Sequence, residues 1–352
     1  MIISADARVC FLSLFKKIKN NYSFLSKTKA FNIYMKRGIS GPQNFLSDLL
    51  INIEKNKLAK TTFNILSSDI HLLNSGFYSM IWKYYSPKSQ KKVMLRLDGI
   101  GIDSVNDSNK KKLESNIINL VNKSSLLIYQ STFCRNCFKN IYESLPKGKV
   151  IINGSDYQVN VSEFSKDLQK KVYLKFKKYF VVAGRYIDRK RIQEVINEFN
   201  SFEIGNLVVL SNVPENLKYQ NERLLYMGMI NPESARYIIS NSIGLIHFDR
   251  YDWCPNIVVS SLFDGVPIIC SNYGGTPEIA GSNSYVIDEF PKDLPHNLEG
   301  INFTKNANFP SNYFKENIIE VWKKDFVKKP NKSYDIKYTS QKYINSAKSL
   351  LK

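Results

Sequence analysis

Histidine is scarce in this chain, with three in 352 residues, and cysteine is nearly so, with five. So few imidazoles leave little material for a structural metal centre. Cys10, Cys134, Cys137, Cys254 and Cys270 are odd in number and scattered, which argues against a disulfide framework. Cys134 and Cys137 form a lone CxxC with no second ligand pair to complete a zinc site, so the expectation is one helical turn with a half-buried thiol. No apolar run reaches the roughly 18 residues needed to cross a bilayer. The first twenty residues carry a short apolar patch without a small-residue cleavage site, a poor secretory signal. No block of 20–50 residues repeats, beyond generic alternation. Acids are also few, 31 against 50 Lys and Arg, for a net charge of +19. These absences predict a cytoplasmic globular protein with no metal and no resident cofactor.

The chain does have length and apolar content, 352 residues at 43% hydrophobic, which suit two domains better than one. Its basic excess is concentrated, because residues 1–37 and 323–352 each carry a net +7. One reading is a solvated lysine-rich surface. Another is attraction to anionic headgroups on the inner face of a membrane, at about 1 kcal/mol per near-surface lysine. Nucleic acid is not expected, since no helix-turn-helix, RNP or zinc-finger pattern accompanies the charge.

Strand-length apolar runs alternate with helical periodicity throughout. Strands are predicted at 31–35, 61–66, 93–97, 126–129 and 150–152, then at 179–183, 207–213, 222–229, 243–248, 266–271 and 284–287. Helices are predicted at 45–53, 113–121, 132–145, 192–199, 231–239, 257–263 and 314–326. Such alternation implies parallel sheets with right-handed crossovers. The predicted organisation is a basic extension over 1–30, one α/β domain over 31–165, a second over 166–310, and helices with a basic tail over 311–352 that pack back on the first domain. His71 and His247 read as structural histidines at or beside strands.

Residues 252–281, DWCPNIVVSSLFDGVPIICSNYGGTPEIAG, are the densest stretch in chemistry. A polar loop runs into a short apolar helix, then a β-branched strand, then Gly274-Gly275-Thr276-Pro277-Glu278, with Thr276 the expected N-cap. Strand, glycine pair and helix start together suit an anion, because the backbone can approach closely and first-turn amides point at it. Earlier, the strand at 179–183 leads into Gly184-Arg185, with Lys190 five residues on. That places two cations at a strand's carboxyl edge, where phosphates want them.

This pattern resembles the donor-site signature of the group 1 glycosyltransferases, a retaining family of the GT-B fold. Gly265-Val266-Pro267 and Gly274-Gly275-Thr276-Pro277-Glu278 match that signature, as do Arg185 and Lys190. Asp252 takes the place of its first glutamate, and Ser260 stands where its second would be. The likeness extends over residues 31–290, with Asn153-Gly154-Ser155-Asp156 closing the first domain.

The resemblance implies a GT-B architecture of two Rossmann-like doubly wound sheets facing a cleft. It implies a metal-independent transferase taking sugar from a nucleotide-diphosphate donor to a saccharide or lipid-linked acceptor. By that likeness Arg185, Lys190 and Asp252 are catalytic. Gly184, Gly274, Gly275, Thr276, Glu278, Asn256 and Ser260 bind the donor, and Gly38, Gly41, Arg96 and Asp98 face the cleft on the acceptor side. Glu278 either accepts a sugar hydroxyl or caps its own helix. Ser260 keeps alternatives open: a catalytically silent protein of this fold, a sugar-nucleotide epimerase, or a basic anion-binding protein.

Overall fold

A computed structural model of the chain describes residues 1–5, 41–62, 67–75, 92–98, 117–142, 144–156, 163–324 and 328–352. They form two compact units, Met1–Gly154 with Asp335–Lys352, and Ser155–Tyr334.

The first unit is a parallel sheet of six described strands: β1 (Ile2–Ala5), β2 (Lys60–Thr62), β3 (Ile70–Asn74), β4 (Lys92–Leu97), β5 (Leu126–Tyr129) and β6 (Gly148–Val150). Their spatial order is β2-β1-β3-β4-β5-β6. Helix α1 (Gly41–Lys55) presents Phe45, Leu46, Leu49, Leu50 and Ile53 along one stripe, which buries against Ile3, Ile70, Leu72 and Met94 of the sheet. The C-terminal helix (Ile336–Leu351) adds Tyr343, Ile344 and Ala347 to the same core. Its start is set by Asp335, whose carboxylate accepts from the Lys337 amide at 2.9 Å. Helix α2 (Thr132–Lys139) opens with Ser131 accepting from the Cys134 amide at 3.0 Å.

Two expectations need correction here. Residues 1–30 are not a peripheral extension from their first residue, since Ile2–Ala5 is an interior strand with β2 and β3 on its two sides. Four residues at a chain end carry too little alternation to be told from the head of an amphipathic helix. His71, expected in a loop after a strand, lies inside β3 with Nδ1 2.6 Å from the Ser4 hydroxyl, and burial lowers its pKa to about 4. The predicted strand at 31–35 and the loop carrying Gly38 lie outside the described residues. Cys134 and Cys137 are fully buried rather than half-buried, and burial pushes the Cys137 thiol up to about 12.

The second unit is also parallel: β7 (Phe180–Ala183), β8 (Leu207–Leu210), β9 (Leu224–Tyr226), β10 (Gly244–His247), β11 (Ile268–Ser271) and β12 (Ser284–Ile287). Their order is β12-β11-β10-β7-β8-β9. Counted from the unit's first strand this is 3-2-1-4-5-6 read from one edge, the doubly wound order in which ligands bind where the order reverses. The reversal falls between β7 and β10.

Helices connect these strands: α3 (Glu163–Lys175) precedes β7, and α4 (Ile192–Ser201), α5 (Pro232–Ser240), α6 (Asn256–Phe263) and α7 (Thr276–Ala280) follow in turn. One face of the sheet packs Phe180, Val182, Leu207, Val209, Ile246 and Ile269 against Ile192, Val195, Ile196 and Phe199 of α4. Strand residues of the alternate set, Val181, Val208, Leu245 and Ile268, are equally buried, as continuous apolar runs in a two-sided sheet should be. Helix α8 (Leu298–Lys305) and α9 (Ser311–Lys323) complete the unit, α9 laying Phe314, Ile318 and Val321 on the first of those faces. Both α3 and α8 fall in stretches expected to be connectors. Asn297, accepting from the Gly300 amide at 3.0 Å, is the local cause of α8.

Candidate functional site

The carboxyl ends of β7, β10 and β11 are neighbours in the second sheet, and the loops that leave them hold most of the predicted site residues. After β7, Gly184 adopts a φ of 143° that favours glycine, and a Cβ there would come within 3.0 Å of the Lys190 side chain. A single 3₁₀ turn, Asp188–Lys190, carries the cations, and Arg191 follows with a left-handed φ of 53°. Arg191 is buried and fixes that turn. It donates to Glu194 at 2.9 Å, pairs with Glu289, and lies 4.8 Å from the Phe309 ring centroid. Burial of so strained and charged a residue is sustained by partners on every side.

The loop after β10 meets this turn directly. Asp249 is buried and accepts from Arg189 Nη1 at 2.6 and 2.7 Å and from Lys190 Nζ at 2.8 Å. The Arg250 amide donates to the Arg189 carbonyl at 2.9 Å, and the Arg250 guanidinium reaches Asp188 at 2.5 Å. Burial by itself would raise the Asp249 pKa, but Lys190 and Arg189 outweigh it and hold the carboxyl below its usual range. Asp252 stands 3.9 Å from Lys190 Nζ.

The third loop closes on the second. Gly274 has a φ of 95°, and a Cβ on Gly275 would run into the Trp253 carbonyl. The Gly275 amide donates to the Asp252 carbonyl at 2.6 Å. That corrects the expectation that both glycine amides are aimed at an anion, because one is committed to tying the two loops together. Thr276 is the first residue of α7, with Gly275 in the N-cap position, so it does not cap the helix. Its hydroxyl lies 3.3 Å from Nδ1 of His247. His247 ends β10, and its Nε2 has no hydrogen-bond partner among the described residues. Burial, with Lys190 adding to it, lowers the His247 pKa to about 4, so the ring is neutral at pH 7.

The remaining predicted residues divide. Arg185 is exposed and makes no ion pair among the described residues. Asn256 begins α6, and Ser260 sits on its next turn with its hydroxyl donating to the Ile257 carbonyl at 3.0 Å. Glu278 is exposed in the first turn of α7. In the first unit, Gly41 starts α1, while Arg96 and Asp98 are buried and paired with each other at the end of β4. Arg96 also donates to Asn153 at 3.0 Å, and Gln130 donates to Asp98 at 2.8 Å. They are therefore brought together, but as a mutually compensated pair.

Sequence reasoning missed Arg189, His247 and above all Asp249, the acid on which both cations converge. The available signal was a buried-type strand running without a turn into Asp249. His247, Asp249 and Asp252 offer ligand atoms within 4.8 Å of one another, a spacing compatible with a metal ion. The ammonium of Lys190 already stands beside both carboxylates, which disfavours a second cation there.

The doubly wound pair of units, each a six-stranded parallel sheet among the described residues, is the GT-B fold. Solved structures of that fold superpose on the chain. HepE from Anabaena in complex with UDP-glucose matches with a TM-score of 0.56 at 14% identity, covering 99% of each chain. Sucrose-phosphate synthase from Thermosynechococcus elongatus matches at 0.53 and 13% identity, covering 89% of this chain and 77% of its own. AviGT4, a glycosyltransferase involved in avilamycin A biosynthesis, matches at 0.52 and 11% identity over 89% and 91%. No family model matches the sequence, and no curated protein does.

Proposed function

We propose that this protein is a retaining glycosyltransferase that takes a sugar from a nucleotide-diphosphate donor. The observation that carries the reading is the position of the cations: Lys190 and Arg189 lie where the strand order reverses, with Arg185 exposed on the same loop. The likeness in fold to HepE, solved with UDP-glucose, supports it.

When the bond from the anomeric carbon to the donor diphosphate breaks, its electron pair leaves on the phosphate oxygen. Arg185 and Lys190 neutralise the charge that develops there, which is the step such fixed cations accelerate. They do so without a metal ion. Asp252, beside Lys190, grips sugar hydroxyls and supports positive charge at the anomeric carbon. The donor is a hexosyl nucleotide and the acceptor a saccharide or a lipid-linked sugar in polysaccharide assembly. The basic ends of the chain favour work at an anionic membrane surface.

The test is release of nucleoside diphosphate from UDP-, GDP- and ADP-hexoses in the presence of extracted glycan and lipid-linked acceptors. Arg185→Ala and Lys190→Ala should each lower kcat/KM ten-fold or more. No release from any donor would remove the catalytic reading. A second reading is a silent nucleotide-binding protein, favoured by Ser260, whose hydroxyl proton is committed to its own helix. Nucleotide binding by calorimetry without turnover would select it.

A further inference from the structure

Lys190 is poorly placed to wait for an anion, because it already has one. Its ammonium lies 2.8 Å from Asp249 and 3.9 Å from Asp252, with the side chain 16% exposed. We propose that Asp249 is an internal stand-in for the donor diphosphate, holding Lys190 while the site is empty and yielding it to the incoming phosphates. This rests on the reading of the β7–β10 edge as a diphosphate site.

Three features make the exchange feasible. First, Asp249 does not depend on Lys190 alone. Arg189 contacts both of its oxygens, at 2.6 and 2.7 Å, so the buried carboxylate keeps a cation after Lys190 turns away. A buried carboxylate stripped of every partner would be too costly for any such release. Second, Lys190 is guided. Its stem runs against Gly184, where a Cβ would approach Cδ to 3.0 Å, and that close passage keeps the side chain beside the backbone that faces the ligand. Third, Asp252 is half-exposed and lies on the open side of Lys190, so the ammonium is never far from a negative charge as it moves.

Exchange of this kind sets affinity and selectivity together. An anion must offer more to Lys190 than the buried carboxylate does, so a diphosphate competes where a single weakly charged group does not. Asp249 thus acts through Lys190, as a positioning residue that never touches the substrate.

The experiment is calorimetric binding of UDP and of inorganic pyrophosphate to the full chain, at three salt concentrations. The variants are Asp249→Asn, Asp249→Glu, and Asp249→Asn combined with Lys190→Gln. Removing one negative charge a few ångströms from the bound anion should tighten binding roughly ten-fold or more and steepen its salt dependence. Asp249→Glu, which keeps the charge, should bind as the unmodified chain does. The double variant should lose the gain, since Lys190 is the cation set free. Asp249→Ser, smaller and equally uncharged, takes the place of the amide if that variant does not fold. Unchanged or weaker binding by the folded uncharged variants, with the unmodified chain still binding, overturns the proposal alone. Failure of the unmodified chain and of every variant to bind either probe overturns the diphosphate site and the proposal with it.

Discussion

Acidifying the solution should cost this protein stability through His247, and the size follows from its burial. The ring is neutral in the folded chain, with a pKa of about 4 against 6.5 for an exposed imidazole. Between those values the unfolded chain binds a proton that the folded one refuses, so stability is fully present above about pH 6.5 and falls as pH drops toward 4. Between pH 7.5 and pH 5 this amounts to about 2 kcal/mol. Asp249, held below its usual range by Lys190 and Arg189, stays ionised across the window and does not mask the effect. Urea unfolding followed by circular dichroism at the two pH values, for the native chain and for His247→Gln, isolates it. The glutamine chain should lose about 2 kcal/mol less on acidification. Equal losses would refute the claim that the imidazole is buried without a proton.

Three other outcomes are expected. Gly275→Ala has no φ problem, at −80°, but its methyl meets the Trp253 carbonyl, so thermal unfolding should reveal a loss of about 1–3 kcal/mol. Asp98→Ala leaves Arg96 buried without its carboxylate and should cost the first unit about 3 kcal/mol in chemical denaturation; under ~1 kcal/mol would mean that Arg96 finds water. Ser260→Glu restores a charged acceptor on α6 and should tighten nucleotide-sugar binding roughly ten-fold by calorimetry, and weaker binding would mean that no ribose is gripped there.

Much of the second unit was legible because its strands are buried on both faces. Runs such as 180–183 and 268–271 are apolar without interruption, and helices end and start at Gly265, Asn231 and Pro277 for local reasons that leave a mark in sequence. The first strand was not legible, since Ile2–Ala5 owes its place to two flanking strands more than 50 residues away. At the site the same division holds. Glycines forced by close approach, and cations at a strand end, announce themselves by type and spacing. Asp249 does not, because an acid after a strand looks the same whether it faces water or clamps two cations. The fate of the Gly275 amide is similarly set by the fold of another loop, eleven positions and more away.

The chain passes from the first unit to the second at Gly154–Ser155 and returns at Tyr334–Asp335, so residues 155–334 form an insertion within the first. On a ribosome, 154 residues of that unit would emerge with their core still missing Tyr343, Ile344 and Ala347. The inserted unit has all its own strands in one continuous stretch and can mature while its host waits. Stop codons late in the reading frame would therefore damage the earliest-made sheet, and nicking between the halves would leave two pieces that must find each other to restore it.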